Sequence, residues 1–261
     1  MAINQQRYDH FRRELNALLV GLRFKTAYRT IEARIIDLLS RTDYDANDPE
    51  LVRLLEQIFD GQFRPYVEKI VKTYGEAVEL VDTLYADFDA PVTRDLPRLL
   101  AIEQTNLNEL GRYSDIQKRS IAQAVRESIL EGESSIGLKQ RLEAVGGRVR
   151  NYAQTIAQTQ VNTHARIAKA AKARLAGVYY YEYVGLRRDT NRPFCTVLIG
   201  STHHEDVIAR MRNGNREPVH ENCGGWNCIH DWEPNPFATE NDASPSDLFT
   251  LADGILVPAR D

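Results

Sequence analysis

Residues 178–185 read VYYYEYVG, and this stretch separates two parts of the chain that differ in character. Tyrosine and valine at this density, followed by a glycine, are typical of a β-strand. Apolar residues recur at helical spacing before the stretch, whereas short segments rich in turn residues follow it. The sequence therefore predicts an α+β fold, with an elongated, mainly helical N-terminal half and a small mixed C-terminal module that contains the cysteines.

Amphipathic helices are predicted throughout the first half. Phe11, Leu15 and Leu18 recur every three to four residues and the apolar stripe resumes at Ile31, which predicts one helix over about 8–39. Cap and turn residues predict further helix limits. These are a helix start at Asp48-Pro49, a kink or break at Pro65, a stop at Gly146-Gly147 and a C-cap at Gly177.

The same signals divide the chain into three regions. Residues 1–147 form the helical region, and residues 148–236 form the Cys/His-containing module. Residues 237–261 contain several prolines and acids, and they are interpreted as an extended acidic arm that wraps a neighbour or stays mobile.

Composition limits the classes of function. The formal net charge is -4, which argues against a chain that binds nucleic acid with its whole surface. No apolar run approaches the roughly 20 residues of a membrane span, and the N-terminus lacks the pattern of a signal peptide. We therefore expect a protein that is made and kept in the cytoplasm, with no membrane partner.

Charge is unevenly distributed along the chain. Residues 141–192 carry ten Lys or Arg against three acids, whereas residues 231–261 carry seven acids and one Arg. The basic residues favour contact with DNA phosphates or with an acidic protein surface, although a helix with an ordinary solvated face has the same composition. The candidate contact residues are Arg166, Lys169, Lys172, Arg174, Arg187 and Arg188.

The cysteines lie close together in sequence, among histidines. Thiolate and imidazole are the usual ligands of structural zinc, and an odd number of cysteines argues against a disulfide framework. The candidate zinc ligands are Cys195, His220, Cys223, Cys228 and His230. The spacing is not that of a common zinc finger, so a thiol packing core without metal remains the alternative.

Two catalytic interpretations are open. The succession of His203-His204, His220-Glu221-Asn222 and His230 is that of an HNH-type metal-dependent nuclease, in which one histidine activates water and another binds the metal. The paired cysteine knuckles common in that class are missing from the sequence. Cys195 with His220 could act as a thiol hydrolase, but no nucleophile elbow accompanies them.

Three motifs, read in order, resemble the phage Mu protein F-like minor head proteins, also called head morphogenesis proteins. The first is the helix IAQTQVNTHA at 156–165, and the second is Asp189 followed by RPFC at 192–195 and LIG at 198–200. The third is CGGWNCIHDW at 223–232. The resemblance covers about residues 150–235. Gln158 and Gln160 stand where the family usually has Arg and Glu, and Ile229 stands where Arg is common.

The resemblance implies a non-enzymatic virion component at the portal vertex of a tailed bacteriophage. Such a protein acts in head morphogenesis, and in DNA packaging or delivery, through contacts with the portal protein and with major capsid or connector proteins. A structural zinc ion is the one cofactor expected, and DNA is an alternative partner. The competing functions are the HNH-type nuclease and a DNA-binding internal head protein.

Overall fold

The computed structural model describes residues 5–42, 44–86, 97–225, 228–244, 249–252 and 255–258. Long helices come first: α1 (Gln5–Gly21), α2 (Lys25–Arg41), α3 (Pro49–Leu84), α4 (Pro97–Leu130) and α5 (Ser135–Leu175). Shorter elements follow: β1 (Tyr180–Val184), α6 (Pro193–Leu198), β2 (Thr202–His204), α7 (Glu205–Arg210), α8 (Val219–Asn222), β3 (Asp231–Pro234), a 3-10 turn (Glu240–Asp242), β4 (Phe249–Ala252) and β5 (Ile255–Pro258). The predicted α+β class, mainly helical with a small sheet near the C-terminus, is confirmed.

Two compact units divide the chain differently from the three predicted regions. The helical unit consists of residues 19–73 and 102–158. The sheet unit consists of residues 1–18, 74–101 and 159–261, so it also takes in two segments from the region predicted to be purely helical.

The predicted single helix over 8–39 is wrong, because α1 ends at Gly21 and α2 begins at Lys25. The residues between them include Leu22 and Phe24, which are both fully buried. The ring of Phe24 lies 4.8 Å from that of Tyr66, with ring centroids as the reference points. Interrupting the helix places both apolar side chains in the core of the helical unit, and their burial outweighs the lost helical hydrogen bonds.

The predicted helix stop at Gly146-Gly147 does not occur, and of the kink or break predicted at Pro65 the break is excluded. Helix α3 continues through Pro65, although proline removes one backbone donor there. Helix α5 continues through Gly146-Gly147. A Cβ at Gly146 would lie 1.9 Å from Cε1 of Tyr28, so this glycine allows a close approach between α5 and α2 within the helical unit. A helix stop and a close approach both favour glycine, and the sequence alone does not distinguish them.

Cap predictions are confirmed at two positions. The carboxylate of Asp48 accepts a hydrogen bond of 2.8 Å from the amide of Glu50 at the start of α3. Gly177 has φ +73° just beyond the end of α5, and the amide of Val178 donates back to the carbonyl of Ala173. This left-handed residue closes the helix and leads the chain into β1.

The strand predicted at 178–185 is the centre of an antiparallel sheet with the order β2-β1-β3. Tyr181 is opposite His203 on β2, and Tyr183 is opposite Trp232 on β3. These four side chains are buried, and the indole of Trp232 donates to the carbonyl of Val219. The sheet therefore presents an aromatic face to the interior of the sheet unit.

The C-terminal arm contains regular structure within its described residues. Strands β4 and β5 pair as an antiparallel hairpin, with Leu251 opposite Leu256. The amide of Ser244 donates to the carbonyl of Thr202 at 2.8 Å, so the start of the arm is attached to β2. Across the described residues, no helix has the length and apolar character needed to cross a membrane.

Candidate metal centre

Three of the five predicted zinc ligands come together. The sulfur atoms of Cys195 and Cys228 are 3.7 Å apart, and Cys228 Sγ lies 3.5 Å from Nδ1 of His230. All three residues are buried, and their ligand atoms lie within 4.8 Å of one another. Within the described part of the chain, no other trio of Cys, His, Asp or Glu ligands meets in this way. The cluster can hold a metal ion.

Short elements position the two cysteines. Pro193 starts α6, whose third residue, Cys195, lies on the buried face of the helix with Phe194 and Leu198. Cys228 comes shortly before β3, and its sulfur accepts a hydrogen bond of 3.2 Å from the amide of Gly224. A Cβ on Gly224 would lie 2.4 Å from Cys195 Sγ, so the backbone there approaches the cluster as only glycine permits.

Aromatic and glycine residues hold His230. Its ring stacks on that of Tyr183, with an interplanar angle of 9°. The hydroxyl of Tyr183 lies 3.4 Å from Cys195 Sγ and 3.8 Å from Cys228 Sγ. A Cβ on Gly185 would lie 2.1 Å from the imidazole, so this residue too must stay small. Partners of this kind fix the orientation of metal ligands.

A buried arginine supports the segment that carries Cys228 and His230. The guanidinium of Arg166 donates to the carbonyl of Cys228 at 2.9 Å and to that of His230 at 2.8 Å. The same residue pairs with Asp231. A hydrogen bond from Cys195, together with the Arg166 charge and the Gly224 amide, lowers the pKa of Cys228 against the effect of burial, whereas the pKa of Cys195 is raised. The cluster therefore favours a thiolate at Cys228, which is the form that binds metal.

The structure does not bring His220 and Cys223 together with the trio of Cys195, Cys228 and His230. His220 packs edge-on against Tyr181, and burial lowers its pKa to about 4. Cys223 occupies a turn with φ +46° directly after α8, and burial raises its pKa to about 12. The short helix and this turn keep both side chains out of the trio, although Cys223 remains close enough to interact electrostatically with Cys228 and Arg166.

Three of the six predicted basic contact residues are internal. Arg166, Lys169 and Lys172 are buried, so they do not form an exposed contact face. Lys169 pairs with Asp231, and Lys172 pairs with Asp82 at 2.9 Å. Arg174 is partly exposed and pairs with Glu205, whereas Arg187 and Arg188 are exposed. The sequence shows these cations at helical spacing, but not the acids that meet them.

Asp231 forms ion pairs with two buried cations, Arg166 and Lys169. Burial would raise the pKa of Asp231, but Lys169 and Arg166 outweigh that effect and lower it. Sequence reasoning did not select Asp231 or Tyr183. Their signals were an acid directly after His230 and an alternating tyrosine in a predicted strand, and both are too general to mark a site.

The histidines of the nuclease hypothesis do not gather at the cluster, apart from His230. His203 is buried, and its Nε2 lies 3.1 Å from the hydroxyl of Ser201. His204 caps α7 by accepting a hydrogen bond from the amide of Asp206. Both side chains thus have structural partners, and the ring of His203 also packs edge-on against that of Trp232 on β3.

A pocket of about 290 Å³ opens beside the cluster. The cluster residues Cys195, Cys228 and His230 form part of its wall. The other lining residues are Arg188, Thr190, Asn191, Arg192 and Ile229. The pocket wall is therefore basic, and the potential metal ligands can be reached from it.

Comparison with known proteins adds no relative. The chain has no significant match to a protein-family profile, to a curated protein or to a solved structure.

Proposed function

We propose that this chain is a minor head protein of a tailed bacteriophage, which acts at the portal vertex by protein–protein contact. The proposal rests on the resemblance of the three motifs to the phage Mu protein F-like family. The portal protein is the expected partner, with major capsid or connector proteins as further neighbours.

One observation carries the proposal: the three chain segments that contain the motifs pack against one another in the sheet unit. Arg166 directly follows the first motif and donates to two carbonyl groups of the third. Thr163, within the first motif, donates to Asn222 at 3.3 Å. Cys195, from the second motif, touches Cys228 of the third. Because these segments pack together, a single folded module accounts for the order and spacing of the three motifs. This supports extending the resemblance from the separate motifs to the whole module.

We infer further that a zinc ion stabilises this centre. A tetrahedral zinc ion 2.3 Å from two thiolate sulfurs would separate them by about 3.8 Å, and would separate a sulfur from an imidazole nitrogen by about 3.5 Å. The corresponding separations in the cluster are 3.7 Å for Cys195–Cys228 and 3.5 Å for Cys228–His230. Bound zinc would link α6 to the segment before β3, which is a structural role.

The burial of Arg166, Lys169 and Lys172 weakens the DNA-binding alternative. Lys169 and Lys172 neutralise acids of the same chain, so their charges are not available to replace counterions on DNA. The positions of His203 and His204 likewise give no support to the nuclease alternative. A cluster of two cysteines and one histidine is also poor in the carboxylate and water ligands that magnesium prefers.

The assembly role is tested in a phage or prophage that carries this gene. Deleting the gene should leave capsids that lack infectivity or DNA, and mass spectrometry should find the protein at low copy number in purified wild-type virions. Cross-linking should join it to the portal protein. Absence of the protein from both procapsids and virions, with normal plaques from the deletion, would overturn the proposal.

The zinc centre is tested separately by elemental analysis of the purified protein. We expect about one zinc per chain, which Cys228→Ser should remove. Cys223→Ser is the matched control, because Cys223 is equally buried but lies outside the cluster. Equal zinc in wild type and Cys228→Ser would contradict the assignment.

A further inference from the structure

The cluster supplies fewer ligands than a closed structural zinc site requires. Structural sites bind zinc through four side chains, whereas a site with three keeps a position for an external ligand. Among the described residues, Cys195, Cys228 and His230 form the whole ligand group. A metal held by these three side chains therefore has room for a further donor.

The pocket described above gives access to that position. All three ligand residues line it, although each is almost completely buried when averaged over its surface. Arg188 and Arg192 lie in its wall, and no acidic residue lines it within the described chain. A positive wall beside a metal cation selects an anionic donor.

The volume of the pocket accommodates a carboxylate at the end of a side chain. A volume of about 290 Å³ admits an Asp or Glu side chain. Carboxylate oxygen is also an ordinary zinc ligand, at about 2.0–2.2 Å.

We propose that the metal centre formed by Cys195, Cys228 and His230 is a docking site, at which a carboxylate from an acidic segment of a protein partner completes the coordination. This inference rests on the zinc centre of the proposed function. The carboxylate displaces water from the metal, and Arg188 provides charge attraction at the pocket wall.

Cobalt substitution tests the open position directly. Purified full-length protein is loaded with Co²⁺, whose visible spectrum reports thiolate ligation and coordination number. Sodium acetate, inorganic phosphate and a hexaglutamate peptide are then titrated separately. We expect acetate to shift the visible bands in a saturable manner, and the peptide to do so at lower carboxylate concentration.

An adjacent pair of arginines provides the matched control. Arg188 lines the pocket, whereas Arg187 is exposed and does not line it. Arg188→Gln should weaken acetate binding roughly threefold or more, while Arg187→Gln should leave it unchanged. Both variants should bind cobalt as the wild type does, because neither residue is a ligand.

Each contrary outcome has its own meaning. Cobalt that binds but does not respond to acetate would overturn the docking site and leave the structural metal centre intact. A response to phosphate without one to acetate would overturn the carboxylate assignment, and a peptide no better than acetate would overturn the protein partner. A chain that binds no cobalt would overturn the zinc centre as well, without affecting the virion experiment.

Discussion

The two adjacent glycines of α5 provide a sharp test of the packing in the helical unit. Both lie inside a continuous helix, where replacing glycine by alanine gains about 1 kcal/mol of helix stability. A Cβ on Gly147 would meet no atom within 4 Å, whereas a Cβ on Gly146 would lie 1.9, 2.5 and 2.7 Å from three ring carbons of Tyr28. The pair therefore separates helix propensity from packing.

The cost at Gly146 follows from the surroundings of Tyr28. Carbon atoms pack at about 3.5–4.0 Å, so the ring must move by well over an ångström to accept the new methyl group. The ring is fully buried, and its hydroxyl donates a hydrogen bond of 2.9 Å to the carbonyl of Leu142. Overpacking costs about 1–3 kcal/mol, and losing a buried hydrogen bond costs about 1–3 kcal/mol more.

We therefore expect Gly146→Ala to lower the free energy of unfolding by about 3 kcal/mol after the gain in helix propensity. Gly147→Ala should raise it by about 1 kcal/mol. For a chain of this size the loss corresponds to a fall in melting temperature of roughly 6–12 °C. Urea unfolding followed by circular dichroism, together with thermal melts, measures both variants under the same conditions.

A double-mutant cycle identifies the cause. Tyr28→Leu shortens the side chain that blocks position 146, so Gly146→Ala should cost less in that background than in the wild type. If Gly146→Ala is as stable as Gly147→Ala, the close approach of α2 and α5 is refuted. Equal costs of Gly146→Ala in both backgrounds would refute the role of Tyr28.

Three further predictions concern the sheet unit. Asp231→Asn should cost about 3–5 kcal/mol in urea unfolding, because it leaves buried cations without their acid; a cost under 1 kcal/mol would refute that role. Gly224→Ala should weaken cobalt binding roughly 10- to 100-fold by displacing Cys195 Sγ, whereas Gly214→Ala, with no atom within 4 Å of its Cβ, should not. Burial lowers the pKa values of His164 and His203 to about 4, so between about pH 6.5 and pH 4 the unfolded chain binds protons that the folded chain does not. The free energy of unfolding should therefore decrease as the pH is lowered through that window, by up to about 1.4 kcal/mol per pH unit for each histidine. A urea midpoint that stays constant from pH 7 to pH 5 would contradict this prediction.

The candidate site was only partly predictable from the sequence. Clustering of Cys and His in one stretch indicated Cys195, Cys228 and His230, which the structure brings together. The same clustering also selected His220 and Cys223, which the fold leaves outside the trio. Membership of the cluster depends on how α6 meets the segment before β3, and Cys195 and Cys228 are 33 positions apart.

The basic residues of α5 also show that sequence patterns do not reveal contacts between distant segments. Lys169 and Arg166 read as a charged helix face, because periodicity describes only the neighbours within one or two turns. Their acid, Asp231, lies 62 positions beyond Lys169, and no local pattern relates them. Only the folded chain distinguishes an internal ion pair from a surface that binds DNA.

What the sequence determined by itself is local: the helical first half, the strand at 178–185, the cap at Asp48 and the helix end at Gly177. Each of these depends on backbone and side-chain preferences that act within a few residues. The tertiary structure decided the break around Leu22, the continuity of α5 through Gly146, and the trio of metal ligands. Those outcomes depend on burial and on contacts between distant segments. The free energy gained from burial and from these contacts is larger than the free energy of the local backbone preferences that oppose it.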